Sequence, residues 1–225
     1  SGQGVSVNTI KNSNQPIIIG RRLGASGAYF FNGYMQDIKI SRNNPYRNNF
    51  VRPPALLKNC NFNLKDSSCD NTVLHLQGDG NIDSPFDLSI KDHNITSSNV
   101  EISQAETPVG DYDLNFTGDG SIYIHPTIDF SFESKDFNID FWVRFDELPE
   151  AKTIELLNFV DEESQNREDL IFYYYQGHIY LKYNRVRSQL EIDEIEQAGN
   201  DGGFDPIENI IDNDYELIEN KNYHI

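Results

Sequence analysis

The sequence predicts an all-β, antiparallel sandwich. Three observations carry that prediction: short runs of alternating apolar residues recur, Gly, Asn, Asp and Pro punctuate them, and no amphipathic helix of more than about two or three turns can be traced. The apolar supply is adequate, with 37% hydrophobic and 12% aromatic residues, 14 Phe and 12 Tyr among them. That is too much for a disordered tail. At 225 residues the chain has room for one large β domain or parts of two.

The elements read as follows. Tyr34, Ile38 and Ile40 alternate with Met35, Asp37 and Lys39 just after the turn-prone Phe31-Asn32-Gly33, which predicts a half-buried strand. Arg52-Pro53-Pro54 cannot occupy a central strand, because consecutive prolines remove ladder donors, and with the polar stretch up to Asp70-Asn71 it marks a linker. Leu74 to Gly80 and Leu114 to Gly120 echo each other, each reading as a strand that runs into an Asp-Gly turn. The clearest strand is Phe137 to Phe145, whose odd positions are all apolar and share one face, with Asn138, Asp140 and Arg144 on the other. Leu170 to Tyr175 and His178 to Tyr183 bracket Gln176-Gly177, a two-residue connection that predicts a tight hairpin. From Gln189 to Glu219 acidic residues crowd a stretch interrupted by Gly202-Gly203, which reads as a long exposed loop.

A formal net charge of −18 and a pI near 4.5, with no Lys/Arg cluster, argue against nucleic acid and anionic membrane as direct partners. The same charge favours a solvated surface and divalent cations. The sequence shows no 18-residue apolar run, so no membrane insertion is expected. Ser1 starts the chain without a charged segment and apolar run of the signal-peptide kind, and the chain reads as an excerpt.

Gly20-Arg21-Arg22, Tyr29 to Ile40, Pro45-Tyr46, Asn49-Phe50 and Pro53-Pro54 together resemble the closing strands and exit of a laminin-G-like, concanavalin A-like lectin domain. Val73 to Gly80, Asp113 to Gly120 and Asp136 to Phe145 are similar to the opening half of another copy. The resemblance implies a β-sandwich of jelly-roll type and parts of two tandem modules. Residues 1–52 would close a first sandwich, 53–72 would link, and 73–225 would open a second, with an acidic insertion at about 185–219. Such domains recur in phage and other viral structural proteins. The resemblance therefore implies a non-enzymatic structural or adhesive module of a virion, a tail fibre, appendage or capsid decoration, with neighbouring subunits and host-surface glycans as partners. The alternatives are a secreted or cell-surface lectin and a laminarinase-type glycoside hydrolase.

Candidate sites follow from donor chemistry. Calcium is the candidate cofactor, because Asp79, Asn81 and Asp83 place oxygens at every second residue in a Gly-containing turn; plain turn chemistry is the competing account. Tyr173, Tyr175, Tyr180 and Tyr183 offer rings for stacking on a saccharide, against the competing role of core or interface packing. Glu191, Asp193 and Glu196 resemble the acidic motif of retaining glycoside hydrolases, but in a regular strand Glu196 points away from the other two. His75, His93, His125, His178 and His224 lack zinc-ligand spacing. Cys60 and Cys69 are placed for a local disulfide, and Asn94-Ile95-Thr96 and Asn115-Phe116-Thr117 are glycosylation sequons.

Overall fold

The computed structural model describes residues 16–21, 30–42, 69–78, 85–104, 106–107, 109–130, 137–149, 152–161, 167–184, 206–210 and 217–225, with backbone alone at 160–161, 167–169, 183–184 and 206–210. Among the described residues, eleven strands and one 3-10 turn, Ile128–Phe130, make up the regular structure. The strands are β1 Ile17–Ile19, β2 Gly33–Arg42, β3 Thr72–Leu76, β4 Ile95–Gln104, β5 Tyr112–Ile124, β6 Phe137–Phe145, β7 Ile154–Asp161, β8 Arg167–Tyr175, β9 His178–Asn184, β10 Pro206–Ile210 and β11 Asn222–His224. Every pairing is antiparallel. The all-β antiparallel class is as expected.

One strand joins two layers. β4 runs along one edge of β5 for nearly its whole length, so β2, at Leu114 to Phe116, and β1, at Ile122 to Ile124, share the other edge. From there one arm continues through β2, β6 and β11, and the other through β1, β7, β8, β9 and β10. Because both arms leave the same edge of β5, in a flat sheet they would extend side by side in one plane and their side chains could not meet face to face. Instead the rings of Phe141 and Phe172 are 5.9 Å apart, and those of Phe145 and Tyr174 are 5.3 Å apart. The sheet is curled so that its two arms pack face to face as in a sandwich.

The bend lies in the β4–β5 pair. Its register shifts between Ser98 and Val100, where Asn99 and Gly118 have φ of 51° and 60°. The Asp-Gly turn expected at the end of Leu114 to Gly120 is instead a bulge that the strand passes through, since extra residues in a ladder bend it rather than end it. A second bulge changes the phase of β2. Gln36 faces Trp142 and Lys39 faces Asp140, so two residues of β2 stand against Phe141 alone. Met35, Ile38 and Ile40 consequently all join the core, and Tyr34, expected to share the face of Ile38, lies on the opposite one, under the Arg144 guanidinium.

Strands from both sides of 53–72 are woven together. β2 pairs with β3, β5 and β6, and β1 with β5 and β7, so the described strands of 1–52 and of 73–225 share one sheet. The acidic stretch at 185–219 is also more than a loop. Its Pro206–Ile210 is β10, paired with β9, and Leu217 is buried in the core. The Gln176-Gly177 hairpin is as expected: both residues have positive φ, 47° and 87°, the signature of a type I′ turn.

Candidate functional site

Behind the apolar core, the outer face of the β2–β3–β6 layer is polar yet buried. Alternation puts Asp140 and Trp142 on this face of β6 and Gln36 on this face of β2; they are 4%, 1% and 0% exposed. At the β2 bulge Asp37 takes a φ of 56°, a region costly for a residue with a side chain. Its carboxylate accepts from His75 Nε2 at 2.7 Å and from Gln77 Nε2 at 2.8 Å. Gln36 Oε1 accepts from the backbone of Asp37 and Gly78, and its amide donates to the Tyr112 carbonyl. Thus β3 is bolted to β2 by side chains as well as by the ladder. Burial pushes the Asp140 carboxyl up to about 7 despite Lys39 and the Asn138 amide, and Asp37 adds to the rise.

Two further carboxylates hold loops. Asp87 accepts from the N–H of His75, Ser89 and His93, from Ser89 Oγ and from His93 Nδ1, the last at 2.6 Å. Burial alone would raise this carboxyl, but those donors outweigh it and hold it below the usual carboxylate range. His93 stacks on Phe130, and its Nε2 lies 3.5 Å from Asp129, which also meets Lys91 at 2.8 Å. On the neighbouring turn, buried Asp113 accepts from the backbone N–H of Glu106 and Thr107 and from the Thr107 hydroxyl.

Where the layers meet at one end of the sheet, a groove of about 270 Å³ opens between Phe30, Asn32, Gly118, Glu147, Pro149, Lys152 and Ile154. Its walls are tied to the framework. Phe31 is wedged between Phe116 and Phe145, Asn32 O accepts from Asp146 N at 3.2 Å, and Leu148 N donates to Glu219 at 3.1 Å. Gly118 holds a φ of +60°, and a Cβ there would meet nothing within 4 Å. Around one small space this groove gathers an aromatic ring, an amide, a carboxylate and an ammonium group. Those are the groups a small polyhydroxylated ligand needs, an apolar C–H face against a ring and hydroxyls against donors and acceptors.

The residues singled out from the sequence fare differently. Tyr173 and Tyr180 stack on each other, centroids 5.1 Å apart and planes 11° from parallel, while Tyr175 tilts towards Tyr180 at 6.5 Å. Tyr173 is buried beside them, so its ring serves that stack, and Tyr175 and Tyr180 are half-buried. The side chain of Tyr183 lies outside the described residues, as do Asp79, Asn81 and Asp83 and the trio Glu191, Asp193 and Glu196. Among the described residues, no group of three or more His, Cys, Asp and Glu is arranged to hold a metal ion. Cys69 is disulfide-bonded. Asn94 is exposed at the head of β4, whereas Asn115 stands inside the ladder, opposite Tyr34 on one side and Glu101 on the other.

Local sequence pattern does not mark the Asp87 and Asp113 nodes or the groove. The available signal for Asp37 was an Asp between Met35 and Ile38 in a strand; nothing local marks the groove, whose walls come from three separate stretches of chain. Comparisons with protein-family models, with curated proteins and with solved structures find no match.

Proposed function

We propose that this chain is a non-catalytic recognition module, structural or adhesive in role, that works at a virion surface or outside a cell and takes a saccharide unit in the groove between Phe30 and Ile154. The observation that carries this reading is the groove itself. Phe30 supplies the stacking face, and Asn32, Glu147 and Lys152 supply hydrogen bonds, in walls tied to the framework through the Asn32 carbonyl and the Leu148 N–H. Preorganised loops lose little freedom on binding, which favours recognition of a weakly held ligand. The Cys69 disulfide supports an oxidising location, and the resemblance to laminin-G-like modules supports the adhesive role.

The test is a glycan array followed by titration calorimetry on wild type and Gly118→Asn. Asn tolerates the left-handed backbone, and its side chain would project into the open space beside Gly118. Saccharide binding is expected in the wild type and should fall at least tenfold in the variant, with the melting temperature retained. Binding that is undiminished by Gly118→Asn places the site elsewhere, with Tyr175 and Tyr180 next in line. Loss of binding on chelation would bring calcium and Asp79, Asn81 and Asp83 into the site. Hydrolysis of a β-glucan that Glu191→Gln abolishes would replace this reading with the glycosidase one.

A further inference from the structure

Of the strands with ten or more residues, β2 and β5 have neighbours on both edges, whereas among the described residues β4 pairs with β5 alone. β4 is thus the longest edge strand among the described residues, and Thr96, Ser97, Ser98 and Asn99 are exposed along it. Its hydrogen-bonding phase can be read from one contact. His125 N donates to Asn94 O, so Asn94, and two and four residues on Thr96 and Ser98, turn their backbone groups towards β5. Ile95 and Ser97 therefore point their N–H and C=O groups outwards, away from the ladder.

Proteins usually blunt such an edge with Lys, Pro or several charges. Here a chain of net charge −18 carries a single charged side chain, Glu101, in the ten residues of β4. This strip is where a second copy would meet the least repulsion from an equally acidic partner. It is also compatible with itself. In an antiparallel pairing centred on Thr96, Ile95 of one copy faces Ser97 of the other, which satisfies the outward groups of both residues on both chains. Thr96 meets Thr96 on the axis, a favourable cross-strand pair. The bulge at Asn99 ends the flat segment, and Glu101 of each copy lies five positions from the axis, on opposite sides. An isologous contact of this kind closes on itself rather than growing into a fibre.

We propose that the outer edge of β4 is a docking site for the β4 edge of a second copy of this chain, paired antiparallel about a two-fold axis at Thr96. Sedimentation velocity on the full chain over a range of concentrations tests it. Wild type should pass from monomer to dimer as concentration rises. Ser97→Pro removes an outward donor without cutting a bond to β5, and Thr96→Lys sets two cations against each other on the axis through an exposed side chain. Each should weaken association tenfold or more, with an unchanged melting temperature. Ser103→Lys, beyond the bulge, should leave association intact. A wild type that stays monomeric up to about 1 mM, or a dimer that withstands both Thr96→Lys and Ser97→Pro, overturns the proposal. So does a dimer weakened as much by Ser103→Lys as by Thr96→Lys.

Discussion

Asp87 and Asp140 are equally inaccessible, each 4% exposed, yet their carboxyls are driven in opposite directions. Burial penalises the charge at both. At Asp87 a chain reversal brings Ser89 and His93 back onto the carboxylate, and their N–H and side-chain donors together with the His75 N–H overcome that penalty. Asp140 sits mid-strand, where the backbone donors belong to the ladder, and the Asn138 amide and the charge of Lys39 do not suffice. Depth alone does not decide whether a buried acid is charged; the local backbone path does, by supplying donors or withholding them.

The comparison breaks first at Asp87. Asp87→Ala should cost about 3–5 kcal/mol, because His93 and the loop N–H groups would be left buried without their acceptor. Urea unfolding measures it, and an unchanged midpoint would show that the loop is held by other contacts.

Next comes pH. The Asp87 carboxyl is depressed in the fold, so its stabilising contribution is present above the ordinary carboxyl range and lost as pH falls through it. The Asp140 carboxyl rises from 3.8 to about 7, so its contribution is present in acid and lost as pH climbs through that interval. At one unit per 1.36 kcal/mol the upper bound for Asp140 is about 4 kcal/mol. Asp140→Asn should therefore flatten the stability profile between about pH 5 and 8 and gain stability at the upper end. A variant as pH-dependent as wild type would mean that the carboxyl titrates normally.

The smallest effect is expected at Lys91. Its bond to Asp129 sits at the accessible margin of the Asp87 node, so Lys91→Ala should cost less than about 1 kcal/mol. A cost approaching that of Asp87→Ala would move the weight of the node from the buried carboxylate to the surface pair.

Much of the fold was legible in local pattern. Phe137 to Phe145 is a strand with its odd positions turned to the core, as alternation required, and Gln176-Gly177 is the tight turn that its composition specified. The phase of β2 was not legible. A bulge needs one extra residue relative to the partner strand, and β6 lies about a hundred residues away in the chain, roughly the separation at which local pattern carries no information. The groove was illegible for the same reason, since Phe30, Gly118, Glu147 and Lys152 share no spacing.

Strand character and turn chemistry belong to the sequence by itself, because side-chain alternation and backbone torsion are properties of neighbouring residues. Which strands pair, and which acid meets which donor, was settled only by the tertiary structure. His75 and Asp37 are 38 positions apart, on either side of the 53–72 stretch; they meet because β3 docks beside the bulge of β2. Burial then makes that contact decisive, since a carboxylate withdrawn from water must find its partners inside the fold.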